Sequence, residues 1–460
     1  MTMHDTRTRF RPLALAATLI LALVAGQAGA AIDGVSGTNF EFTVKLDYLS
    51  TADGNSMQFW GFANTTGGNV NARAQYPGPT LILSQGQTVT ITLKNALPGA
   101  NSQNVSIVFP GQSVAAVGGV PGLLTQEAAV GDPTGVTYTF TANQPGTYTY
   151  YSGTSSELQT EMGLIGAIIV RPTGFDPLNP CAYNTPASCY DHEYLFLLSE
   201  MAPEIHRQVK FYGVASLYAQ PIEIDPRVGP RNALSDYFSG YWFINGRTAP
   251  DTMGMAYDPM FPTQPYNIVP RMHPGETVLM RVVGGGREMH PFHHHGNHAL
   301  VIARDGRLLE SAPGAGPDLA YNVFTVTNVP GQTVDALFHW TGKGLGWDVY
   351  GTGPQYAHSC TDGNGDLYDD VTSEWCPDHG KPFPTLMPDV GELTNGGFWS
   401  GSPFMGTLGA LPPGEGGLNP NAGFTYMWHS HNEKELTNFD IFPGGMMTML
   451  IVEPPGVPIP

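Results

Sequence analysis

Short stretches of alternating polar and apolar residues run through much of this chain. Residues 85–93 are typical, because threonines occupy every second position and Val89, Ile91 and Leu93 fall between or after them. Such alternation predicts strands that turn one face toward a core. Glycine, proline, asparagine and aspartate separate the stretches, and patterns long enough for amphipathic helices are scarce. The chain is therefore predicted to be an all-β protein with many turns.

The same plan occurs twice. Gly-Gln-Thr-Val at residues 86–89 is repeated as Gly-Glu-Thr-Val at residues 275–278, and the Gly- and Tyr-containing segment 146–151 is matched by 423–428. A repeat longer than a hundred residues predicts two related domains rather than a solenoid. The predicted organisation is a signal peptide at 1–30, a first domain at 31–172, a linker at 173–190, and a second domain at 191–455 with a long loop insertion at about 343–420.

Composition and charge narrow the range of partners. The chain has 460 residues, enough for two or three domains, and its formal net charge of −19 argues against a nucleic-acid partner. Three arginines within residues 7–11 precede an apolar run at 13–25, the pattern of a secretory signal, and this run is short for a bilayer span. We therefore expect an exported protein, periplasmic or extracellular, with no stable membrane insertion after signal cleavage.

The four cysteines form two local pairs. Cys181 and Cys189 lie in the predicted linker, and Cys360 and Cys376 lie in the predicted insertion. In an exported protein, close pairs of this kind favour disulfides that close short loops. We therefore predict the disulfides Cys181–Cys189 and Cys360–Cys376.

Histidines are concentrated in two segments. Five of the 14 fall within residues 290–298, and His429 and His431 lie near the C-terminus. Neutral imidazole is a common ligand of copper, zinc and iron, and alternation along a strand places His293 and His295 on one face, as it does His429 and His431. Two such pairs brought together predict a metal site, with copper favoured. Five further histidines show no ligand spacing and are interpreted as ordinary surface or hydrogen-bonding residues: His192, His206, His273, His358 and His379.

An acidic loop in the predicted insertion offers a second candidate metal site. Asp362, Asn364 and Asp366 alternate with glycines and a leucine follows them, so their oxygen atoms suggest a calcium loop. No glutamate stands at the expected closing position. A solvated acidic turn beside a disulfide therefore explains the segment at least as well.

Residues 290–296, His-Pro-Phe-His-His-His-Gly, resemble the His-Pro-x-His-x-His-Gly motif of the multicopper oxidases. Residues 77–81, Pro-Gly-Pro-Thr-Leu, are similar to the opening of that family's first domain. The resemblance covers most of both repeats and implies two cupredoxin-like Greek-key β-sandwich domains. It implies a type 1 (blue) copper ligand at His290 and trinuclear-cluster ligands at His293, His295, His429 and His431.

The chain departs from the family pattern at several ligand positions. Ser430 stands where the family has the cysteine whose thiolate defines a blue copper site, so we predict no type 1 copper. The family takes half of its cluster histidines from each of two domains, and this chain lacks the half expected from the first. The residues at those first-domain positions are Val108, Pro110, Tyr151 and Gly153.

The leading hypothesis is an exported copper-binding oxidoreductase with a His-rich, type 2/type 3-like site in the second domain. Its substrate would be a small molecule or a metal ion that reaches the site directly. His298, Glu433 and Glu435 are candidate additional ligands, and a neighbouring subunit of a homo-oligomer could supply others. The alternatives are a non-catalytic copper-binding or copper-buffering protein, a zinc-binding β-sandwich protein, and a relic site that no longer binds metal.

Overall fold

The structure is a computed structural model, and 38% of its residues lie in strands against 10% in helices, as expected for an all-β chain. It describes residues 32–219, 222–225, 229–231, 237–352, 357–382, 424–453 and 456–459. The predicted signal peptide and much of the predicted insertion lie outside these residues. In the described parts of the chain, no helix combines the length and the apolar character needed to cross a bilayer.

The first half of the chain forms two sheets. Its strands are β1 Val35–Ser36, β2 Asn39–Ser50, β3 Ser56–Asn64, β4 Leu81–Ser84, β5 Thr88–Asn95, β6 Ala115–Gly118, β7 Val120–Pro121, β8 Gln126–Glu127, β9 Val136–Thr141, β10 Gly146–Tyr151 and β11 Ile165–Arg171, with the short helix α1 Ser156–Gln159 after β10. One sheet has the order β3-β2-β5-β9-β6 and the other has the order β1-β4-β11-β10, while β7 and β8 pair separately.

The second half also forms two large sheets. Its elements are β12 His192–Met201, α2 Pro203–Tyr212, β13 Ile222–Asp225, β14 Gly229–Arg231, β15 Tyr241–Ile244, β16 Arg271–Met272, β17 Thr277–Gly284, β18 His290–His294, β19 Ala299–Arg304, β20 Arg307–Leu308, β21 Tyr321–Val323, β22 Thr325–Asn328, β23 Thr333–His339, β24 Phe424–Ser430 and β25 Met447–Val452. The sheet orders are β15-β12-β17-β23-β19-β20, with β21 on β19, and β16-β25-β24-β18-β22.

The two halves repeat one pairing scheme. In β3-β2-β5-β9 the successive pairs are antiparallel, parallel and antiparallel, and β15-β12-β17-β23 follows the same order. The second sheets agree as well, because β4-β11-β10 and β16-β25-β24 each join a parallel pair to an antiparallel pair. The repeat seen in the sequence is thus a repeat of two β-sandwiches, and the predicted fold class is confirmed.

Alternation along the strands builds the cores. In β5, Val89, Ile91 and Leu93 are buried, whereas the intervening threonines face their counterparts on β9 across the other side of the sheet. Threonine and β-branched side chains suit this pleated surface. Phe42 and Tyr150 anchor the core of the first half, and a separate core contains Phe292, Phe338 and Trp428 in the second.

An apolar cluster and a buried ion network join the halves. Ile165 and Ile169 of β11 pack with Leu195 and Leu197 of β12. Beside this cluster, Glu193 accepts hydrogen bonds from Arg171 of the first half and Arg281 of the second. All three charged side chains are buried, so replacing one by a neutral residue would leave a buried charge without its partner.

Both predicted disulfides are present. Cys181–Cys189 closes a loop between β11 and β12, and Cys360–Cys376 closes a loop between β23 and β24. They leave no free cysteine. The chain therefore holds no thiolate for a copper ion while both disulfides are intact.

Candidate metal centre

Strands β18 and β24 set the positions of the histidines. They pair antiparallel, with His293 opposite His429 and Phe292 opposite Ser430. The pairing continues past the strand ends, because the His295 amide donates to the Met427 carbonyl (3.2 Å) and the His431 amide donates to the Pro291 carbonyl (2.8 Å). Since side chains alternate along each strand, this register brings His293 and His295 to the same face as His429 and His431.

Three of these imidazoles converge. His293, His295 and His429 each offer a nitrogen atom, and these atoms lie within 4.8 Å of one another. The fourth predicted ligand, His431, has its ring centroid 4.8 Å from that of His293, and its side chain is 54% exposed. We call these four residues the histidine cluster. His293 is half-buried, His295 and His429 are buried, and His431 lies at the solvent edge of the cluster.

Hydrogen bonds orient two of the rings. His429 Nδ1 donates to the Ser430 carbonyl (2.7 Å), which leaves Nε2 as the lone-pair atom of a neutral ring. His293 Nδ1 bonds to the Thr325 hydroxyl (2.9 Å) on β22. His429 Nε2 lies 3.2 Å from His295 Nε2, so two potential ligand atoms already face the same point. Contacts of this kind fix the tautomer of a metal-binding histidine.

Burial favours the neutral form of two members of the cluster. Together with the neighbouring imidazoles, it lowers the pKa of both His293 and His429 to about 4. A neutral ring is the form that binds a metal ion. Near neutral pH, few protons therefore compete with a metal ion for these two histidines.

His294 points the other way. It is 1% exposed and packs edge-on against Phe338, with ring centroids 5.9 Å apart. Its Nε2 accepts a hydrogen bond from the Ala299 amide (3.1 Å). His294 is thus a core residue that stiffens the start of β19.

His290 also lies apart from the histidine cluster. Its ring is fully buried, and its two nitrogens contact Glu200 Oε2 and Glu435 Oε2 at 2.9 Å each. Burial opposes its charge, but the two carboxylates outweigh that effect and raise the pKa of His290 to about 9. We call His290, Glu200 and Glu435 the His290 triad. It holds an imidazolium at neutral pH, and a protonated ring has no lone pair for a metal.

Ser430 completes this region. It is fully buried, lies on the same face of its sheet as Phe292, and its hydroxyl accepts a hydrogen bond from the Asn432 amide (3.2 Å). Neither it nor any other residue supplies a thiolate here, because the chain's four cysteines are all in disulfides.

Comparison with known proteins agrees with this architecture. The sequence model of the family described as multicopper oxidase matches residues 57–174. Copper resistance protein A of Escherichia coli is 31% identical over 171 residues, which is 37% of this chain and 24% of that protein. Its homolog in Pseudomonas syringae pv. tomato is 30% identical over 174 residues, with the same coverage of 37% and 24%. Over these residues the chain is similar to multicopper oxidases.

The likeness of the chain to a solved structure concerns the fold. The multicopper oxidase mgLAC is 17% identical to it and superposes with a TM-score of 0.50 over 93% of this chain and 88% of that one. The matches to the two copper resistance proteins span only about a quarter of their lengths, 24% in each case. The fold is therefore shared, and this likeness does not say which metal ligands the chain has.

The first half of the chain has no imidazole at the equivalent positions. Val108 and Tyr151 exchange backbone hydrogen bonds of 2.8 and 3.2 Å, just as His293 pairs with His429. A side chain added at Gly153 would approach Val108 to 2.7 Å. No histidine occurs between residues 5 and 191.

The three candidate helper residues contribute little to the histidine cluster. Glu435 is committed to the His290 triad, and Glu433 is 86% exposed with its carboxylate 3.9 Å from His431. His298 is exposed and packs against Phe324, with ring centroids 5.8 Å apart. Of the three, Glu433 therefore lies nearest to the exposed edge formed by His431.

The predicted calcium loop is satisfied by its own backbone. Asp362 accepts hydrogen bonds from the amides of Gly365, Asp366 and Leu367. Asn364 bonds to Asp366 through both its side-chain atoms. These contacts describe a closed acidic turn, and the calcium hypothesis gains no support from them.

Two histidines interpreted as ordinary from the sequence lie in a second metal-like group. His358 and His379 converge with Asp348 and Glu374 in the insertion. Their separations along the chain follow no ligand spacing, because a disulfide loop brings them together. The available signal was that His358 and Glu374 each precede a paired cysteine by two residues.

A third group consists of hydrogen bonds around one carboxylate. His192 Nε2 and His273 Nδ1 contact Glu276 at 2.8 and 3.0 Å, and His273 Nε2 donates to the Val457 carbonyl. Both nitrogens of His273 are thus engaged. This group fits the hydrogen-bonding role predicted for these two histidines.

Proposed function

We propose that this chain is an exported copper-binding oxidoreductase whose metal is bound by His293, His295, His429 and His431. The observation that carries the proposal is the convergence of three imidazoles, whose ligand nitrogens lie within 4.8 Å of one another, with the fourth ring beside them. Imidazole donors suit copper, and similarity to multicopper oxidases favours copper over zinc. Copper in such a site supplies one-electron redox chemistry.

The protein residues position and protect the ligands. Thr325 and the Ser430 carbonyl orient His293 and His429, and burial keeps both rings unprotonated. His431 lies at the solvent edge, and exposed Phe324 packs against His293. A small-molecule or metal-ion substrate would reach the cluster at this edge and give up its electrons there directly.

We further propose that the site works without a type 1 copper. The family's thiolate position is Ser430, and the other expected ligand, His290, is protonated and held by two buried carboxylates. Binding copper at His290 would require the ring to lose its proton and leave two carboxylates facing each other in the core. The energy of that rearrangement argues against a blue copper site.

Similarity to copper resistance proteins favours a role in copper handling outside the cytoplasm. The predicted signal peptide agrees with export to the periplasm or the extracellular space. Oxidation of a phenol or of a reduced metal ion, with dioxygen as the oxidant, is the reaction class that follows from this setting.

The test combines a spectrum with turnover. We expect the full chain loaded with Cu(II) to give an axial electron paramagnetic resonance signal and no intense absorption near ~600 nm, where a copper thiolate absorbs. We expect dioxygen consumption with a phenol or a reduced metal ion, and loss of that activity in His293→Ala and in His431→Ala. His298→Ala, which changes an exposed neighbouring histidine, serves as the matched control.

Each alternative has its own result. Copper binding without dioxygen consumption would show a copper-binding or copper-buffering protein and would reject the oxidoreductase. A chain that retains zinc and excludes copper would reject the copper site. An intense blue absorption would show that a type 1 site forms despite Ser430.

A further inference from the structure

A compact group of metal-ligand side chains lies beside the loop closed by Cys360–Cys376. His358 and Glu374 each lie two residues before one cysteine, and His379 lies three residues after the second. Asp348 joins them from the segment that follows β23. We call Asp348, His358, Glu374 and His379 the insertion cluster. It shares no residue with the histidine cluster or the His290 triad.

The four side chains converge on one point. His358 Nε2 lies 3.1 Å from Glu374 Oε2 and 3.6 Å from Asp348 Oδ2. His379 Nδ1 lies 3.0 Å from Glu374 Oε1 and 3.5 Å from Asp348 Oδ2. All four groups offer ligand atoms within 4.8 Å of one another. Each histidine therefore faces both carboxylates.

These spacings match a tetrahedral metal site. Zinc binds imidazole nitrogen and carboxylate oxygen at about 2.0–2.2 Å, which places neighbouring ligand atoms about 3.3–3.5 Å apart. The four nitrogen-to-oxygen distances in the insertion cluster are 3.0 to 3.6 Å. A metal ion would therefore need only small shifts of the side chains.

The charges also call for a cation. The side chains of Asp348 and Glu374 are 1% and 2% exposed, and within the described part of the chain they form ion pairs with these two histidines and with no lysine or arginine. Two buried carboxylates side by side repel each other unless a positive charge lies between them. A divalent ion would neutralise both.

Surrounding contacts hold the ligands in place. Asp348 accepts hydrogen bonds from the amides of Tyr350 and Gly380, both at 2.9 Å. The Tyr350 ring packs edge-on against His358, with centroids 5.5 Å apart. Contacts of this type hold the metal-binding side chains in position in protein metal sites.

The loop also lies closely against the second sandwich. Gly275, in the turn before β17, has φ of +82°, and a Cβ there would come within 2.5 Å of Ser373. The neighbour of Ser373 is the ligand Glu374. The insertion is thus seated on the turn at residues 273–276, and a metal in it would fasten residue 348 to residues 358–379.

We propose that Asp348, His358, Glu374 and His379 bind one zinc ion as a structural site, separate from the copper site. Four protein ligands with no open position are the pattern of structural zinc. Nitrogen and oxygen donors without sulfur also admit other first-row divalent ions, but d¹⁰ zinc best tolerates this tetrahedral set. The site would fasten residue 348, near the start of the insertion, to residues 358–379.

The experiment uses the full chain with the histidine cluster removed. In the His293→Ala/His295→Ala/His429→Ala variant, stripped with a chelator and reloaded with zinc, we expect about one zinc per chain by mass spectrometry of the metal. Adding His358→Ala/His379→Ala is expected to lower zinc to less than about one tenth per chain. Adding His192→Ala/His273→Ala, which removes the histidines around Glu276, is the matched control and should leave zinc bound.

A second measurement does not depend on the folding of these added variants. X-ray absorption at the zinc edge of the cluster-free protein should show two imidazole nitrogens and two carboxylate oxygens. Absence of zinc from that protein, retention of zinc after His358→Ala/His379→Ala, or a shell without imidazole would overturn the proposal. None of these results depends on copper binding or oxidase activity.

Discussion

The two halves of this molecule present the same backbone with different chemistry. Val108 pairs with Tyr151 through an isolated bridge in the first half, as His293 of β18 pairs with His429 of β24 in the second. The side chains at these positions are apolar or phenolic in one half and imidazole in the other. The strand pairing therefore does not depend on a metal, and only the second half retains the ligands that would bind one.

The same contrast is seen three residues earlier in each half. Val105 precedes Val108 by three residues, as His290 precedes His293, and it pairs with Ala128 in an apolar core. The second half instead places the His290 triad there. The family match covers residues 57–174, the half without ligands, so likeness to the family and possession of ligands are separate properties.

The largest expected effect comes from removing paired histidines. His293→Ala/His429→Ala should weaken copper binding by more than about 100-fold, since even residues that merely support ligands are worth about 10–100-fold. Val108→Ala/Tyr151→Phe alters the matching positions of the first half and should leave copper content unchanged. Copper titration with a competing chelator measures both. Equal loss in the two variants would mean that the first half takes part in binding.

A smaller effect is expected from placing histidines in the first half. Val108 and Tyr151 are half-buried and directly opposed, so Val108→His/Tyr151→His should create a two-imidazole site. We expect a second copper ion per chain, bound at least about 100-fold more weakly than at the four-histidine cluster, because two ligands are missing. Val108→Phe/Tyr151→Phe is the control for size. If no second ion binds, the equivalence of the halves ends at the backbone.

The smallest effect concerns pH and the His290 triad. The pKa of His290 is raised from 6.5 to about 9 in the folded protein, so its stabilising effect is fully present below pH 6.5 and is lost as pH rises toward 9. The change is of the order of 3 kcal/mol. The melting temperature of the copper-free protein should fall by several degrees between pH 6.5 and 9. Glu435→Gln should flatten this dependence, and an unchanged slope would remove the triad as its source.

Much of the fold follows from local sequence. Alternation of threonine with Val89, Ile91 and Leu93 predicts a half-buried strand, and the repeated segments predict two sandwiches. The convergence of His293 with His429 was also within reach, because strand periodicity and one pairing register suffice to produce it.

Other features depend on contacts that no local pattern reveals. His290 meets Glu200 and Glu435, which are 90 and 145 residues away in the chain. Its spacing identifies a ligand position, whereas the distant carboxylates turn it into an imidazolium. The insertion cluster was missed for a related reason, because the path of a disulfide-closed loop, rather than helix or strand periodicity, brings Asp348 to His379.

The ion network of Arg171, Glu193 and Arg281 bears on what holds the two halves together. All proposed copper and zinc ligands belong to the second half, so neither metal acts as a clamp between the halves. Their attachment instead rests on buried charge and apolar packing. A chelator would leave the two sandwiches docked, whereas neutralising Glu193 would loosen them with both metals still in place.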